Sequence, residues 1–286
     1  MSRRLRLDAE LVRRNLARSR DHAATLISDG LVFVAGARAS KPATGVTTDQ
    51  AIVIKPSAEP TWASRGAHKL LGALDVFAPL GLTVEGRRCL DAGASTGGFT
   101  DVLLRQGARE VVAVDVGYGQ LIWALQNDDR VHVLDRTNVR HLETGEMGGP
   151  VSLVVSDLSF ISLTVVMPAL TRVCETSSSD GGGDIVLMIK PQFEVGRERL
   201  GKNGVVRDPE LHAEAVHRVC ESAHALGWGT RALAPSPLPG PAGNVEYFCW
   251  LRSDAPAPDL SAAHDVVAAG PLLTTAPKAA RERERA

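Results

Sequence analysis

The sequence predicts a protein of the α/β class with a small α+β domain in front. The first observation is residues 88–99, where a short apolar run ends in an acid, passes through a loop of small residues and opens an apolar-periodic helix. The second is the β-type run 110–115, which again ends in an acid. The third is an alternation of strands and helices that continues to about residue 251. This pattern is typical of a Rossmann-like domain.

The loop between the first strand and its helix indicates a nucleoside-binding site. Glycines let the backbone approach a ligand, and an acid at the second strand's tip can accept hydrogen bonds from a ribose. A dinucleotide site would need glycine where Ser95 stands, and Asp91 would face its phosphates. A cation without phosphate, such as S-adenosylmethionine, suits the loop better; the other interpretation is a turn that holds no ligand. The predicted cofactor-binding residues are Asp91, Gly93, Ser95, Thr96, Gly97, Phe99, Asp115 and Asp135.

The composition is that of an ordinary globular protein. The 286 residues, 44% hydrophobic and 23% charged, are enough for one large domain and a small one. The 4 cysteines form no Cys-x-x-Cys pattern and no cluster with histidine, so we expect neither a disulfide framework nor a metal site. We also expect no signal peptide and no membrane span, which fits a protein of the reducing cytoplasm.

The charge is unevenly distributed along the chain. Residues 1–65 carry 11 Lys and Arg against 6 Asp and Glu, whereas the remainder has an excess of acids. A basic head on an acidic body favours a polyanion-binding module joined to another domain, although a solvated charged face gives the same balance. The predicted organisation is a small domain at 1–59, a linker at 60–64, a large domain at 65–253 and a flexible tail at 254–286 with at most one helix, near 260–269.

The basic head is predicted to contain two short helices and a few strands. Asp8 is expected to cap the first helix, and Ser19 the second, which ends at Gly30. Strands are expected at 31–34 and 51–54.

These elements resemble the S4-like RNA-binding domain. The resemblance rests on Arg6-Leu7-Asp8, Ser19-Arg20, Leu26-Ile27, Gly30, Gly36, Lys41-Pro42 and Ile52. It implies that the helix pair presents arginines to RNA phosphates rather than to base edges. The implied RNA-binding residues, with one more at the start of the large domain, are Arg4, Arg6, Arg14, Arg18, Arg20, Lys41 and Arg65.

The elements of the large domain follow in order from hydrophobic periodicity. Helices are predicted from an opening stretch at 64–70, from 99, and at 118–125, 163–174 and 209–226; strands are predicted at 88–91, 110–115, 131–134, 151–155, 185–189, near 231–233 and at 245–251. Residues 197–207 are glycine-rich and charged, and we expect them to form a mobile loop that could cover a site.

Polar side chains follow several of the predicted strands, where open α/β sheets bind their ligands. Two lysines and two acids in one pocket can activate an alcohol, because a lysine near a second ammonium can accept a proton from a ribose hydroxyl. The acids would orient the lysines, and no metal is needed. Each residue alone also fits an ordinary surface or capping role; the set favours a reaction site. The members of the set are Lys69, Asp157, Lys190 and Glu246.

The whole chain from Arg6 to about Leu251 is similar to the TlyA family of bacterial rRNA 2′-O-methyltransferases, often labelled haemolysin A. The motifs that carry this resemblance are Ser64-Arg65-Gly66-Ala67-His68-Lys69-Leu70, Leu90-Asp91-Ala92-Gly93-Ala94-Ser95-Thr96-Gly97-Gly98-Phe99, Asp157-Leu158-Ser159-Phe160-Ile161-Ser162-Leu163, Lys190-Pro191-Gln192-Phe193-Glu194 and Gly243-Asn244-Val245-Glu246-Tyr247-Phe248.

The TlyA resemblance implies a class I S-adenosylmethionine-dependent methyltransferase domain of FtsJ type. It also implies a Lys-Asp-Lys-Glu catalytic tetrad falling on Lys69, Asp157, Lys190 and Glu246. The implied substrate is cytidine in 16S rRNA, 23S rRNA or both, within ribosomal subunits, at a site where capreomycin- and viomycin-type antibiotics bind.

Other functions would require different residues or motifs in the sequence. Carbon-5 cytosine methylation needs a Pro-Cys or Thr-Cys nucleophile, and none of the cysteines has such a neighbour. Amino-group methylation would need an Asn/Asp-Pro-Pro-Tyr-like motif where Asp157-Leu158-Ser159-Phe160 stands. A non-catalytic RNA-binding or ribosome assembly factor would tolerate loss of Lys190. A pore-forming haemolysin is indicated by the family label alone.

Deletion of residues 1–55 should weaken binding to ribosomal RNA and reduce its salt dependence, because phosphate contacts release counterions. Binding of S-adenosylmethionine to the remaining chain, measured by calorimetry, should be largely intact. Equal loss of both affinities would mean that the two domains act as one unit.

Overall fold

The computed structural model describes residues 4–17, 20–28, 30–55, 62–175, 182–240 and 242–271. The chain divides into two compact units, Met1–Thr61 and Trp62–Ala286.

The first unit is a small α+β domain. Its elements are β1 (Leu5–Arg6), α1 (Leu7–Arg13), α2 (Arg20–Ser28), β2 (Val32–Val34), β3 (Ala37–Arg38), β4 (Gly45–Val46) and β5 (Ile52–Ile54). Strands β1 and β4 pair with each other, and β3, β2 and β5 form a second antiparallel sheet. Leu7, Leu11 and Val32 are fully buried between the helices and the strands. The predicted helix pair is therefore present.

The predicted cap at Asp8 is wrong. Helix α1 begins at Leu7, so Asp8 lies inside its first turn. The Asp8 carboxylate accepts hydrogen bonds from Arg6 and Arg20, each with a 2.9 Å contact between Nη2 and Oδ2. These guanidinium groups hold the pKa of the carboxyl well below its usual range. An acid that pairs two arginines from different elements links α1 to α2. Ser19, the predicted cap of α2, lies outside the described residues.

The second unit contains one large, mostly parallel sheet. The strands are β6 (Arg88–Ala92), β7 (Glu110–Val114), β8 (Val131–Leu134), β9 (Leu153–Ser156), β10 (Asp184–Ile189), β11 (Gly229–Pro235) and β12 (Tyr247–Arg252). Among the described residues their order is β11-β12-β10-β9-β6-β7-β8. Strand β12 is antiparallel to its neighbours β10 and β11, and the other pairs are parallel.

Helices cover both faces of this sheet. They are α3 (Gly66–Phe77), α4 (Gly98–Arg105), α5 (Trp123–Gln126), α6 (Leu163–Val173), α7 (Pro191–Glu194), α8 (Pro209–His224) and α9 (Leu260–Ala269). Successive side chains of β6 point to opposite faces of the sheet, so the core has two parts. Leu90 packs with residues of α6 and α8 in one part, and Cys89 packs with residues of α3 and α4 in the other. A sheet covered on both faces explains why its central strands are almost wholly apolar.

The predicted helix 118–125 is shorter in the structure. Helix α5 spans only Trp123–Gln126. Gly119 has a φ of 64° and donates its N–H to Asp135 Oδ2 at 2.8 Å. The chain therefore turns where periodicity predicted a helix, because a side-chain carboxylate captures the backbone donor.

The segment after residue 253 contains the one helix that was predicted near 260–269, but this helix is packed against the second unit. Helix α9 is capped by Asp259, and its Ala263 and Val266 are buried in the same core cluster as residues of α8. The part of the predicted tail that the structure describes, up to Pro271, thus belongs largely to the folded unit. Residues 272–286 lie outside the described part.

Asp184→Ala should destabilise the second unit strongly. Asp184 is 3% exposed, accepts a hydrogen bond from Trp250 Nε1 at 2.6 Å and pairs with Arg87 at 2.5 Å. Removing one partner of a buried ion pair costs about 3–5 kcal/mol, and urea unfolding measures it. Asp254→Ala, which removes an exposed carboxylate from Arg252, is the control and should change stability by under about 1 kcal/mol.

Candidate active site

The sheet topology brings the four predicted reaction residues to one edge. Asp157 follows β9 and Lys190 follows β10, and these neighbouring strands are parallel. Strand β12 runs the other way and pairs Tyr247 with Ile189, so Glu246 lies at the same edge. The fourth residue, Lys69, lies in the first turns of α3.

Lys190 and Asp157 form the first ion pair of the site. Lys190 Nζ lies 2.6 Å from Asp157 Oδ1 and donates a hydrogen bond to Ser159 Oγ at 2.7 Å. The lysine side chain is 8% exposed and the aspartate side chain 25%. The ammonium is thus held by two groups of one loop, and the open side of the pair faces solvent through Asp157.

Lys69 and Glu246 form the second pair, which is more deeply buried. Lys69 Nζ donates to Glu246 Oε2 at 2.6 Å, and the two side chains are 11% and 1% exposed. A Cβ built on Gly66, one turn before Lys69, would lie 3.9 Å from Asp157 Oδ2. The start of α3 therefore lies beside the first pair, and the two lysines and two carboxylates balance in charge.

The loop between β6 and α4 has the tight geometry that its glycines predict. Gly93 has a φ of 92°, and a Cβ there would lie 2.9 Å from the Asp157 carbonyl oxygen. Gly97 has a φ of 99°, and its Cβ would lie 2.3 Å from Leu125 Cδ1. Only glycine fits both positions without displacement of neighbours. Gly93 thereby brings this loop into direct contact with the segment that carries Asp157.

Asp91 lies beneath this loop and is completely buried. Its Oδ2 accepts a hydrogen bond from Thr100 Oγ1 at 2.6 Å, while its Oδ1 has no hydrogen-bond partner among the described residues. Burial, followed by the charges of Asp157 and Asp115, raises the pKa of Asp91 to about 7. A buried carboxylate with an unpaired oxygen favours a positive charge nearby.

The other predicted cofactor residues lie around the same loop. Asp115 accepts from Ser95 N at 2.8 Å and from Gly117 N at 2.7 Å, so it fixes the loop while retaining free lone pairs. Asp135 is half-buried beside Gly119. Ser95 and Thr96 are exposed.

The side chain of Phe99, another residue of the predicted cofactor set, is buried. Its ring is 3% exposed and stacks on Phe248 with 6.2 Å between the ring centroids. The side chain therefore belongs to the core under the sheet. Helix α4 turns the ring inward at this position.

Three predicted RNA-binding residues in the first unit make internal contacts. Arg6 and Arg20 pair with Asp8, although their side chains are 52% and 59% exposed. Arg14 is bound to Glu10 and to the backbone oxygens of Thr47, Thr48 and Gln50, which makes it a structural link within the unit.

The remaining RNA-binding predictions are less constrained. Arg4, Lys41 and Arg65 are exposed, and Arg18 lies outside the described residues. Residues 197–207, predicted as a mobile loop, form two short 3₁₀ turns held by Asn244 and by a small apolar cluster around Val206.

Glu194 and Ser159 are the functional candidates that sequence reasoning did not single out. Both lie in motifs of the TlyA resemblance, but their side-chain partners come from other segments of the chain. A group of three or more His, Cys, Asp or Glu residues that could hold a metal ion is not found in the part of the chain that the structure describes.

Asp91→Asn should change the pH dependence of stability. A pKa raised to about 7 means that Asp91 stabilises the fold below its unfolded pKa and loses this contribution as the pH rises through 7. The free energy of unfolding of the variant, relative to that of wild type, should therefore rise from pH 5 to pH 8. Urea unfolding at the two pH values measures this change, and one pKa unit corresponds to about 1.4 kcal/mol.

The control for this prediction is Asp128→Asn, since hydrogen bonding to Arg130 lowers the pKa of the half-buried Asp128 carboxyl, which lies below both pH values. Its stability difference from wild type should be the same at pH 5 and pH 8. The same result for Asp91→Asn would contradict the raised pKa.

Two family models match the chain. The FtsJ-like methyltransferase model covers residues 62–253, and the S4 domain model covers residues 5–52. These ranges agree with the two units described above.

Individual relatives also match the chain over most of its length. The chain is 57% identical over 253 residues to the 16S/23S rRNA (cytidine-2′-O)-methyltransferase TlyA of Mycobacterium tuberculosis, covering 88% of this chain and 91% of that protein. It is 34% identical to Hemolysin A of Brachyspira hyodysenteriae, covering 85% and 98% of the two chains. The solved structure of a hemolysin-named protein from Streptococcus thermophilus matches with a TM-score of 0.72 at 36% identity and covers all of both chains.

The predicted fold class is confirmed by the sheet and by both family models. With an S4 domain followed by an FtsJ-like domain that fills most of its length, the chain belongs to the TlyA family of FtsJ-like methyltransferases.

Proposed function

We propose that this protein transfers a methyl group from S-adenosylmethionine to the ribose 2′-hydroxyl of a cytidine in 16S rRNA, 23S rRNA or both. The observation that carries the proposal is the pair of lysine–carboxylate contacts, Lys190–Asp157 and Lys69–Glu246, beside the glycine loop at one edge of the sheet. The names of its relatives support an rRNA ribose as substrate.

The residues around the β6–α4 loop fit S-adenosylmethionine. The unpaired Oδ1 of Asp91 and the free lone pairs of Asp115 supply negative charge and acceptors, which suit a cation carrying a ribose. Gly93 and Gly97 let the loop pack closely against the Asp157 segment and against Leu125, which fixes its backbone beside these acids. When bound, this cofactor supplies an electrophilic methyl group on a sulfonium.

Activation of the ribose is assigned to Lys190. A 2′-hydroxyl is a poor nucleophile at neutral pH, and a neutral lysine amine within hydrogen-bond reach can take its proton. Asp157 and Ser159 hold Nζ of Lys190 in place at this edge of the sheet. Lys69 and Glu246 hold the adjoining wall of the site. The remaining rate gain comes from alignment of the hydroxyl with the methyl group.

Recognition of RNA is assigned to the S4 domain and to Arg65 at the start of α3. Exposed basic side chains bind phosphates with little sequence preference, so they position a folded rRNA rather than read its bases. The proposed partner is therefore a ribosomal subunit. A methylated subunit interface would also explain a change in susceptibility to capreomycin and viomycin.

The relative named Hemolysin A raises a second activity, lysis of membranes. Within the described residues, none of the helices has both the length and the apolar character needed to cross a bilayer. No contact described above favours this second activity over methyl transfer.

The test is transfer of a labelled methyl group from S-adenosylmethionine to isolated ribosomal subunits, followed by nuclease digestion and nucleoside mass spectrometry. We expect 2′-O-methylcytidine. A methylated base would keep the cofactor and reject the lysine mechanism, whereas absence of transfer to either subunit would favour a non-catalytic RNA-binding role.

Lys190→Ala should lower the rate of methyl transfer by about 10²–10⁴-fold, the usual contribution of a general base. The affinity for S-adenosylmethionine should stay within about twofold, since the lysine is not assigned to the cofactor. Arg130→Ala, which removes an exposed basic side chain that pairs with Asp128 in the second unit, is the control and should retain the wild-type turnover. Wild-type turnover by Lys190→Ala would remove the lysine from the mechanism.

A further inference from the structure

Two loops at the carboxyl edge of the sheet have to keep a fixed separation. One connects β9 to α6 and carries Asp157 and Ser159; the other follows β10 and carries Lys190. Contacts of 2.6 and 2.7 Å from Nζ of Lys190 to these two residues leave little tolerance for relative movement. A catalytic hydrogen bond that lengthens by about 1 Å can cost about 10²-fold in rate.

Glu194 joins these two loops through a buried carboxylate. It lies in α7, four residues after Lys190, and is 5% exposed. Its Oε2 accepts a hydrogen bond from Ser162 Oγ at 2.5 Å, and its Oε1 accepts from Leu163 N at 2.8 Å. Both donors belong to the start of α6, so one side chain spans from the Lys190 segment to the Asp157 segment.

The Ser162 hydroxyl connects the start of α6 to the Glu194 carboxylate. Ser162 is the N-cap of α6: its Oγ accepts from Thr164 N at 3.2 Å, lies 2.7 Å from Thr164 Oγ1 and donates to Glu194 Oε2. The positive end of the α6 dipole favours the carboxylate. On the other side, the Glu194 backbone oxygen accepts from Arg218 at 2.9 Å, which fixes α7 to α8.

A second contact joins the same two segments independently. Phe193, next to Glu194, packs its ring against Phe160 with 5.4 Å between centroids. Phe160 has a φ of 66°, a left-handed conformation that is strained for an aromatic residue. The loop that carries Asp157 thus holds an unfavourable backbone shape, which a rigid external link can maintain.

We propose that Glu194 is a positioning residue, whose buried carboxylate holds the 157–163 loop against the Lys190 segment so that Lys190 meets Asp157 and Ser159. The inference rests on the proposed function for its kinetic consequence, although the geometry that it predicts can be measured without RNA. Glu194 itself lies behind the two loops and contacts neither Lys190 nor Asp157 by the bonds described.

The kinetic test uses the full-length chain with ribosomal subunits. Glu194→Ala should lower kcat by about 10- to 100-fold, while KM for S-adenosylmethionine and for the subunit stays within about twofold. Glu194→Gln should recover part of the loss, because its amide oxygen can still accept from Leu163 N whereas its amide nitrogen cannot accept the hydrogen bond from the Ser162 hydroxyl. Ser162→Ala should show a smaller loss in the same direction.

The matched control is Asp259→Ala. Asp259 caps α9 and, like Glu194, accepts from one backbone N–H and one hydroxyl, those of Ser261, at 2.8 and 2.7 Å. Its loss should lower the melting temperature without changing kcat. If Glu194→Ala had a kcat within twofold of Asp259→Ala, or lost cofactor affinity in parallel with kcat, the positioning role would be wrong.

A crystal structure of Glu194→Gln, and of Glu194→Ala if it folds, separates this inference from the proposed function. We expect the 157–163 loop to shift and the Lys190–Asp157 contact to lengthen from 2.6 Å. An unchanged contact in the variants would overturn the inference even if the wild-type protein methylates rRNA. A lengthened contact would support it even if the substrate were different.

Discussion

The pairing of two buried lysines with two carboxylates is the constraint on which the rest of the site depends. An unpaired charge in a protein interior costs several kcal/mol, so each lysine can be buried only where an acid reaches it. Glu246 must therefore lie at the start of β12, and Asp157 at the end of β9. The antiparallel direction of β12 is what allows its first residues to join the carboxyl ends of the parallel strands.

Several features of the second unit that cost free energy lie at the same edge of the sheet. Asp91 is a buried carboxyl with an unpaired oxygen, and Ser95 and Phe160 have left-handed backbones. Such conformations cost about 1–3 kcal/mol each and persist only where the surroundings hold them. The apolar core on both faces of the sheet supplies the stability that offsets these costs. A cationic ligand above Asp91 would relieve part of the electrostatic cost.

Sequence patterns predicted the features that depend on local chemistry. The glycine loop, the acids after β7 and β8, and the order of strands all follow from short-range periodicity and turn residues, and the structure contains them. The four reaction residues could be proposed because topology, rather than side-chain packing, brings strand ends together. Their pairing could not be predicted, since it depends on which lysine reaches which acid across the fold.

Contacts across the fold account for one wrong prediction and for two side chains whose partners the sequence did not reveal. Asp8 has the composition of a helix cap but binds arginines from two elements. Arg14 looks like a phosphate ligand but is held by backbone oxygens more than 30 residues away. Phe99 lies in the cofactor motif, yet its ring is drawn into the core by Phe248. In each case at least one contact comes from another element of the fold, and no local pattern records it.

The most direct measurement is a structure of this protein bound to a ribosomal subunit in the presence of S-adenosylhomocysteine. We predict a cytidine with its 2′-oxygen about 2.6–3.2 Å from Nζ of Lys190, the reach of a general base, and with the cofactor sulfur above the β6–α4 loop. A nucleotide whose base, rather than its ribose, faces the cofactor sulfur would contradict the assignment of the two lysine–carboxylate pairs to ribose methylation.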